Sequence, residues 1–489
     1  MSASSDFAAI RMAIAAFPAD VATDAIGTHR PTIDEIFSPE NHAGALDTSS
    51  PIVVGARGTG KSFWSGVLLQ PALRAVAARA YPRLGLSNLK VRFGYTGLAG
   101  PDGGIDQERL DACVSSDASR EDARAFWWAT ILNAVIATDE RQPAKVKDML
   151  VMARSIEERD KMLASAEGEL SAQRQTLLVV YDALDTVATI WPRRRLLTEA
   201  LLEVAWAMRV YRSLKLKLFL RPDQLNDDAL RFVELPKQRT GAIRLMWSTE
   251  DLYGLFFSRL AMGEPSGALR AILGSLRLPS AKNEDIRTRQ WLLAHDQASQ
   301  VRLMSALAGP FMGDGKFGHK KGKTYDWPIS HLGDAFEEVT PRSFLGLMIA
   351  AAQHGVAPPQ RAITPDGIRY GLRAASRTRV DQLHQEFPWI KGVLAPLDGL
   401  LLPQEEKKVF AVWKKAGTLR EAFDDAKHQD YLPPFPAGSS SGSLADERGL
   451  YLAMERIGVM MRRRDERLDM PDLFRVAAKL LKKGAMAPA

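Results

Sequence analysis

Ser49-Ser50-Pro51-Ile52-Val53-Val54-Gly55-Ala56-Arg57-Gly58-Thr59-Gly60-Lys61-Ser62 is the stretch on which the fold of this chain turns. Ile52-Val53-Val54 is a β-branched apolar run bounded by Pro51 and Gly55, which suits a strand buried in a parallel sheet. From Lys61 to about Ala80 the pattern turns helical. Between strand and helix, Gly55 to Ser62 satisfies G-x-x-x-x-G-K-[S/T]. Glycines there let backbone N–H groups converge on phosphate oxygens without Cβ obstruction, and the helix N-terminus adds favourable dipole charge. The expected cofactors are ATP and Mg2+. Gly55, Arg57, Gly58, Thr59 and Gly60 are expected to line the phosphates, Lys61 to reach the β- and γ-phosphates, and Ser62 to ligate magnesium. A glycine turn with an exposed lysine would share the string, but the flanking strand and helix favour the phosphate site.

Working outward, further strands are expected at 89–95, 176–182 and 215–220. Helices are expected at 120–137 and 193–212, with one long helix or a helical pair over 143–173 and a polar loop at 100–104. Strands alternating with helices signal a doubly wound α/β parallel sheet that binds ligands at the strands' carboxyl ends. The domains expected are an N-terminal helical lead-in over 1–44 (helix 6–25), a P-loop core over 45–262, a helical lid domain over 263–402 and a small winged-helix-like basic domain over 403–489. No strong strand is read between 263 and 402, where a Gly/Lys loop, 313–324, interrupts the helical pattern.

The length of 489 residues favours several domains. Cys113 is the one cysteine, which excludes an intrachain disulfide and four-cysteine zinc sites. No basic-then-apolar leader opens the sequence and no apolar run approaches the ~20 residues of a bilayer span, so the expectation is a cytoplasmic protein without membrane contact. Neither H-E-x-x-H nor G-x-S-x-G is present. The net charge of +7 permits nucleic-acid contact without requiring it.

The partner motif is Leu177-Leu178-Val179-Val180-Tyr181-Asp182-Ala183-Leu184-Asp185. A carboxylate ending a buried apolar strand is costly unless paired, and a magnesium ion would pair Asp182. Asp185 is placed to orient or deprotonate an attacking water. The bland alternatives are a turn-capping carboxylate for Asp182 and a helix N-cap for Asp185.

Asp182-Ala183-Leu184-Asp185 resembles the Walker B motif of the NACHT-like branch of the STAND ATPases, within the wider AAA-like superfamily. That branch usually carries an acid after the second aspartate, where this chain has Thr186. By the same resemblance Arg221, in Leu218-Phe219-Leu220-Arg221-Pro222-Asp223, stands at the sensor 1 position. Its alternative role is a salt bridge to Asp182 or Asp185. Arg342, in Thr340-Pro341-Arg342-Ser343-Phe344, is similar to a sensor 2 arginine, with a surface helix arginine as the alternative.

The carboxyl-terminal part resembles a winged helix: helices over 405–416, 418–426 and 444–457, a hairpin of 459–464 with 466–470, and a closing helix over 471–482. Arg462, Arg463, Arg464 and Arg467 would lie on the wing, facing the phosphates of DNA, or would be solvated charge. A protein partner suits this domain equally. The reading is an ATP-binding, nucleotide-dependent switch. The family resemblance adds homo-oligomerisation on ATP and a role in bacterial defence or signalling. The alternatives are a DNA-binding helper ATPase of the transposition or replication type and a nucleotide-gated scaffold that does not hydrolyse ATP.

Overall fold

The computed structural model describes residues 3–18, 31–98, 104–136, 146–225, 230, 232–313, 315–429 and 446–484. The chain forms two compact units: residues 24–246, and residues 1–23 together with 247–489.

In the first unit five strands, β1 (Ile52–Val54), β2 (Leu89–Phe93), β3 (Thr176–Tyr181), β4 (Leu214–Leu220) and β5 (Ile243–Arg244), form one sheet in the order β2-β3-β4-β1-β5. Every neighbouring pair is parallel, as expected for the α/β core. Strand alternation sends side chains to two separate cores. Ile52, Val54, Val179, Tyr181, Leu218 and Leu220 join Trp127 and Leu197 on one face. Val53, Val180 and Phe219 join Trp64, Val67 and Leu68 on the other. Each such side chain contributes about 1.5–3 kcal/mol by leaving water. Because β4 lies between β1 and β3, the residue that follows β4 emerges between the ends of the two motif-bearing strands.

The helical stretch behind the P-loop is two helices, Lys61–Leu69 and Pro71–Ala80, because Pro71 cannot donate into a continuing helix. The polar stretch ahead of β3 is a helical pair, Val146–Arg154 and Ile156–Ala172, reset by Ser155, whose hydroxyl caps the Glu158 amide. Residues 99–103 and 137–145, on which the polar loop and the flank of this pair were read, lie outside the described residues. β5 was not foreseen, since two residues are too short a run to show periodicity.

In the second unit the helix Ala3–Ala15 packs against Ser266–Ser275 and Pro341–Gln353. It is shorter than the expected 6–25; residues 19–25 of that expectation lie outside the described residues. Arg11 donates to the carbonyls of His354 (2.8 Å) and Gly355 (2.7 Å), where Pro341–Gln353 ends and its carbonyls lack helical partners. Thr249–Met262 also belongs to this unit.

Towards the carboxyl end, helices Glu406–Ala416, Thr418–Gln429 and Glu447–Arg456 precede a hairpin of Met461–Arg462 with Leu468–Asp469. Residues 430–445 lie outside the described residues. The closing helix over 471–482 does not form. Asp472–Arg475 makes one turn, and Leu481–Lys482 then pairs in parallel with Leu401–Leu402, a strand in a region read as strandless. Buried Arg475 explains the turn: it donates to the Leu480 carbonyl (2.9 Å) and to Asp472 (2.6 Å), and Lys479 takes a left-handed φ of 55°. Among the described residues no helix is long and apolar enough to cross a membrane.

Candidate functional site

The loop after β1 is locked by its own short contacts. The Gly55 amide donates to the Leu220 carbonyl (3.1 Å), so the loop starts level with the end of β4. Thr59 is buried, and its hydroxyl donates to the Ala56 carbonyl (2.8 Å). A Cβ on Gly55 would stand 2.3 Å from that hydroxyl oxygen. Gly60, the residue that begins the helix Lys61–Leu69, has φ 105°, which an L side chain rarely adopts. Lys61 Nζ donates to the carbonyls of Gly55 (2.7 Å) and Ala56 (3.1 Å), which holds the ammonium over the loop. Arg57 is half-buried in the same loop.

Two buried polar side chains hold this loop from beneath. Lys217 of β4 donates to the carbonyls of Asp47 (2.5 Å) and Ser50 (2.5 Å), which fixes the chain entering β1. Burial pushes its ammonium down to about 7. His42 accepts from Trp64 Nε1 at Nδ1 (2.9 Å), so its Nε2 carries the proton given to the Met246 carbonyl (3.1 Å). Burial pushes His42 down to about 4, and the neutral ring ties the P-loop helix to the segment after β5. Neither residue was singled out from the sequence.

At the end of β3, buried Asp182 lies beside the Ala183 amide and the Ser62 hydroxyl, which favour its charged form, and within the field of Lys61. Burial nevertheless dominates and holds its carboxyl above the usual range, with repulsion from Asp185 adding to it. Ala183 (φ 52°) turns the chain into a short 3-10 helix, Leu184–Thr186, and so brings Asp185 back toward Asp182. Thr186 closes that turn: its hydroxyl donates to the Ala183 carbonyl (2.8 Å) and meets the Tyr95 hydroxyl (2.8 Å).

Arg221, directly after β4, is buried and bonds Asp223 twice, Nε to Oδ1 at 2.9 Å and Nη2 to Oδ2 at 3.1 Å. Its Nη1 reaches Asp185 at 3.4 Å. The salt bridge weighed from the sequence therefore exists toward Asp185, while Asp223 is the stronger partner. Arg194, from the helix Trp191–Ala207, adds a contact to Asp223 at 3.7 Å. Burial works to raise both carboxyls, but Arg221 and Arg194, with Lys61 acting on Asp185, outweigh it and hold both below the usual range.

Lys61, Ser62, Asp182, Asp185 and Arg221 thus converge at the carboxyl end of the sheet, where Lys61 also holds the loop at Gly55 and Ala56. Arg342 stands in the first turn of Pro341–Gln353 in the other unit, after Thr340, whose hydroxyl caps that helix. Asp223 and Arg194 were missed. The signal for Arg194 was its place on a buried helical stripe with Leu197, Leu201 and Val204.

Ser62 and Asp182 suit a magnesium ion. Mg2+ favours oxygen ligands, keeps several waters and takes one or two protein side chains beside substrate phosphates. Among the described residues no cluster of three or more His, Cys, Asp or Glu side chains is arranged for a metal, so phosphate oxygens would have to complete the shell.

No protein-family model matches the chain, and no curated protein matches it significantly. Among solved structures it is similar to the ORC2 protein of Aeropyrum pernix in its ADPNP–ADP complexes, at 13% identity and a TM-score of 0.38. That match covers 92% of this chain and 95% of the other.

Proposed function

We propose that this chain is an AAA-like P-loop ATPase that binds ATP with Mg2+ at residues 55–62 and acts as a nucleotide-dependent switch. The observation that carries this reading is the convergence of Ser62 and Lys61 on buried Asp182, with Lys61 acting on Asp185 as well. Phosphate-binding amides, a lysine and two carboxylates then face one another as ATP–Mg2+ chemistry requires. Ser62 and Asp182 would hold the magnesium, which when bound offsets phosphate charge. Gly55, Arg57, Gly58, Thr59 and Gly60 would cradle the phosphates with Lys61. Asp185 would orient the attacking water, and Arg221 would stabilise charge at the γ-phosphate. Arg342 would report the nucleotide to the helical unit, and the STAND-like subtype and a defence role belong to this same reading.

Lys61→Ala tests the site. A ligand at 100 times its Kd stabilises a protein by about 2.7 kcal/mol, and the variant should lose that ATP-dependent melting shift. A shift equal to wild type would refute the assignment. Asp185→Asn should keep the shift but slow phosphate release about a hundredfold. Release at the wild-type rate would remove Asp185 from catalysis.

Thr186 supports a second reading, a nucleotide-gated scaffold. Its hydroxyl is committed to Tyr95 and Ala183 where the similar family has an acid. A wild-type melting shift with ATP but no phosphate release would favour it.

A further inference from the structure

The loop 315–323, in the helical unit, has no part in the ATPase reading. Its base is clasped by an antiparallel bridge between Phe311 and Lys323, by the Met312 amide on the Gly322 carbonyl (2.9 Å) and by the Thr324 amide on the Pro310 carbonyl (3.2 Å). Arg369, from the helix Pro365–Glu386, donates to the Met312 carbonyl, and the short 3-10 helix Gly318–Lys321 shapes the tip. Gly318 sits so close to Gly313 that a Cβ on it would stand 2.0 Å from the Gly313 carbonyl oxygen. The loop is therefore a shaped projection.

It presents Lys316, Lys320, Lys321 and Lys323, all exposed, and among the described residues none of these ammonium groups has a carboxylate partner. Phe317 is 62% exposed, with Lys320 Nζ 4.9 Å from its ring centre. The carboxyl-terminal wing is different. Arg462 pairs with Glu406 and Glu466, Arg463 with Asp469 (3.4 Å) and Arg467 with Asp465 (2.7 Å). Most of the wing's charge is thus already spent within the domain.

We propose that the loop 315–323 binds single-stranded nucleic acid, its four lysines meeting consecutive phosphates and Phe317 stacking on an unpaired base. Lysines without carboxylate partners keep their full charge for phosphates, and each contact releases condensed counterions. An exposed aromatic among cations stacks on any base, since every base has a π-face. A lone phenylalanine without an amphipathic helix buries too little apolar surface to anchor at a lipid headgroup layer.

The test is fluorescence anisotropy of the full chain with a labelled mixed-sequence single-stranded oligonucleotide, across a salt series. Wild type should bind, and K316Q/K320Q/K321Q/K323Q should bind at least tenfold more weakly, with the log–log salt slope shallower by about 3. Phe317→Ala should weaken single-strand binding about tenfold. Circular dichroism melting of both variants should match wild type, which separates lost binding from lost folding. The proposal is overturned if wild type does not bind the oligonucleotide at low salt, or if the lysine variant binds as wild type does. It is equally overturned if Phe317→Ala is without effect while duplex is preferred, or if wild type binds phosphatidylserine vesicles in place of the oligonucleotide.

Discussion

At the carboxyl ends of β3 and β4, Lys61, Arg194 and Arg221 stand against Asp182, Asp185 and Asp223, largely out of water and tied by specific contacts. On the loop 315–323, lysines of one sign stand in solvent, without carboxylate partners among the described residues. The first arrangement fixes geometry, because a buried charge that loses its partner cannot fall back on water. The second leaves attraction unspent, and it acts through several residues together under salt screening. One substitution in the cleft should therefore be felt by the whole unit, and one on the loop hardly at all.

Arg221→Ala should show the largest effect. It strips half-buried Asp223 of its bidentate partner and half-buried Asp185 of its salt-bridge partner; breaking a buried pair from one side costs about 3–5 kcal/mol, and the lower end applies here because both carboxylates keep some contact with water. Chemical denaturation without nucleotide would measure it. A loss within 0.5 kcal/mol would mean that the cluster is more hydrated than its burial implies.

Acid should act on the same unit through His42. Its folded value of about 4 lies below the ordinary 6.5, so between those values the unfolded chain binds the proton more readily. Stability is complete above about pH 6.5 and falls as the pH drops toward 4, by about 3 kcal/mol over the window. His331, also held low by burial, gives the same sign in the other unit. The difference between wild type and His42→Gln isolates the His42 contribution, and matching pH profiles would disprove it.

Asp182 should move the other way. A carboxyl held above its usual range by burial costs stability when ionised at neutral pH. Asp182→Asn should therefore raise the melting temperature of nucleotide-free protein while reducing its response to ATP and magnesium. A lower melting temperature would show the ionised carboxylate to be better compensated than its burial suggests.

What the sequence made legible follows the same division. The parallel α/β core and the order of motifs could be read because β1 and β3 are apolar runs, β4 alternates Leu with Lys before an apolar end, and a P-loop fixes strand, turn and helix together. Asp182 and Asp185 could be read because acids at the end of an apolar strand have few reasons to be there. Asp223 and Arg194 could not be read as partners, since they meet only after the chain passes from the helix Trp191–Ala207 through β4. Lys217 could not be read either, since an alternating Leu-Lys strand does not tell which lysine turns inward, and Lys217 does so to two loop carbonyls. The closing helix over 471–482 failed for a similar reason: a buried arginine and a two-residue pairing with Leu401–Leu402 outweighed local helical preference.

The smallest effect on stability belongs to the loop, and it separates the two kinds of charge most directly. Replacing Lys316, Lys321 or Lys323 singly by Gln removes a solvated ammonium with no carboxylate partner among the described residues, so each should change folding free energy by less than about 0.5 kcal/mol. Each should still make the salt slope of oligonucleotide binding shallower by about 0.7, because a phosphate contact disappears whether or not its lysine helps the fold. Equal steps from the three substitutions, adding up in combination, would mark a loop whose charges act independently on a phosphate chain. A single dominant lysine would instead point to one specific contact, of the kind the cleft makes with Arg221.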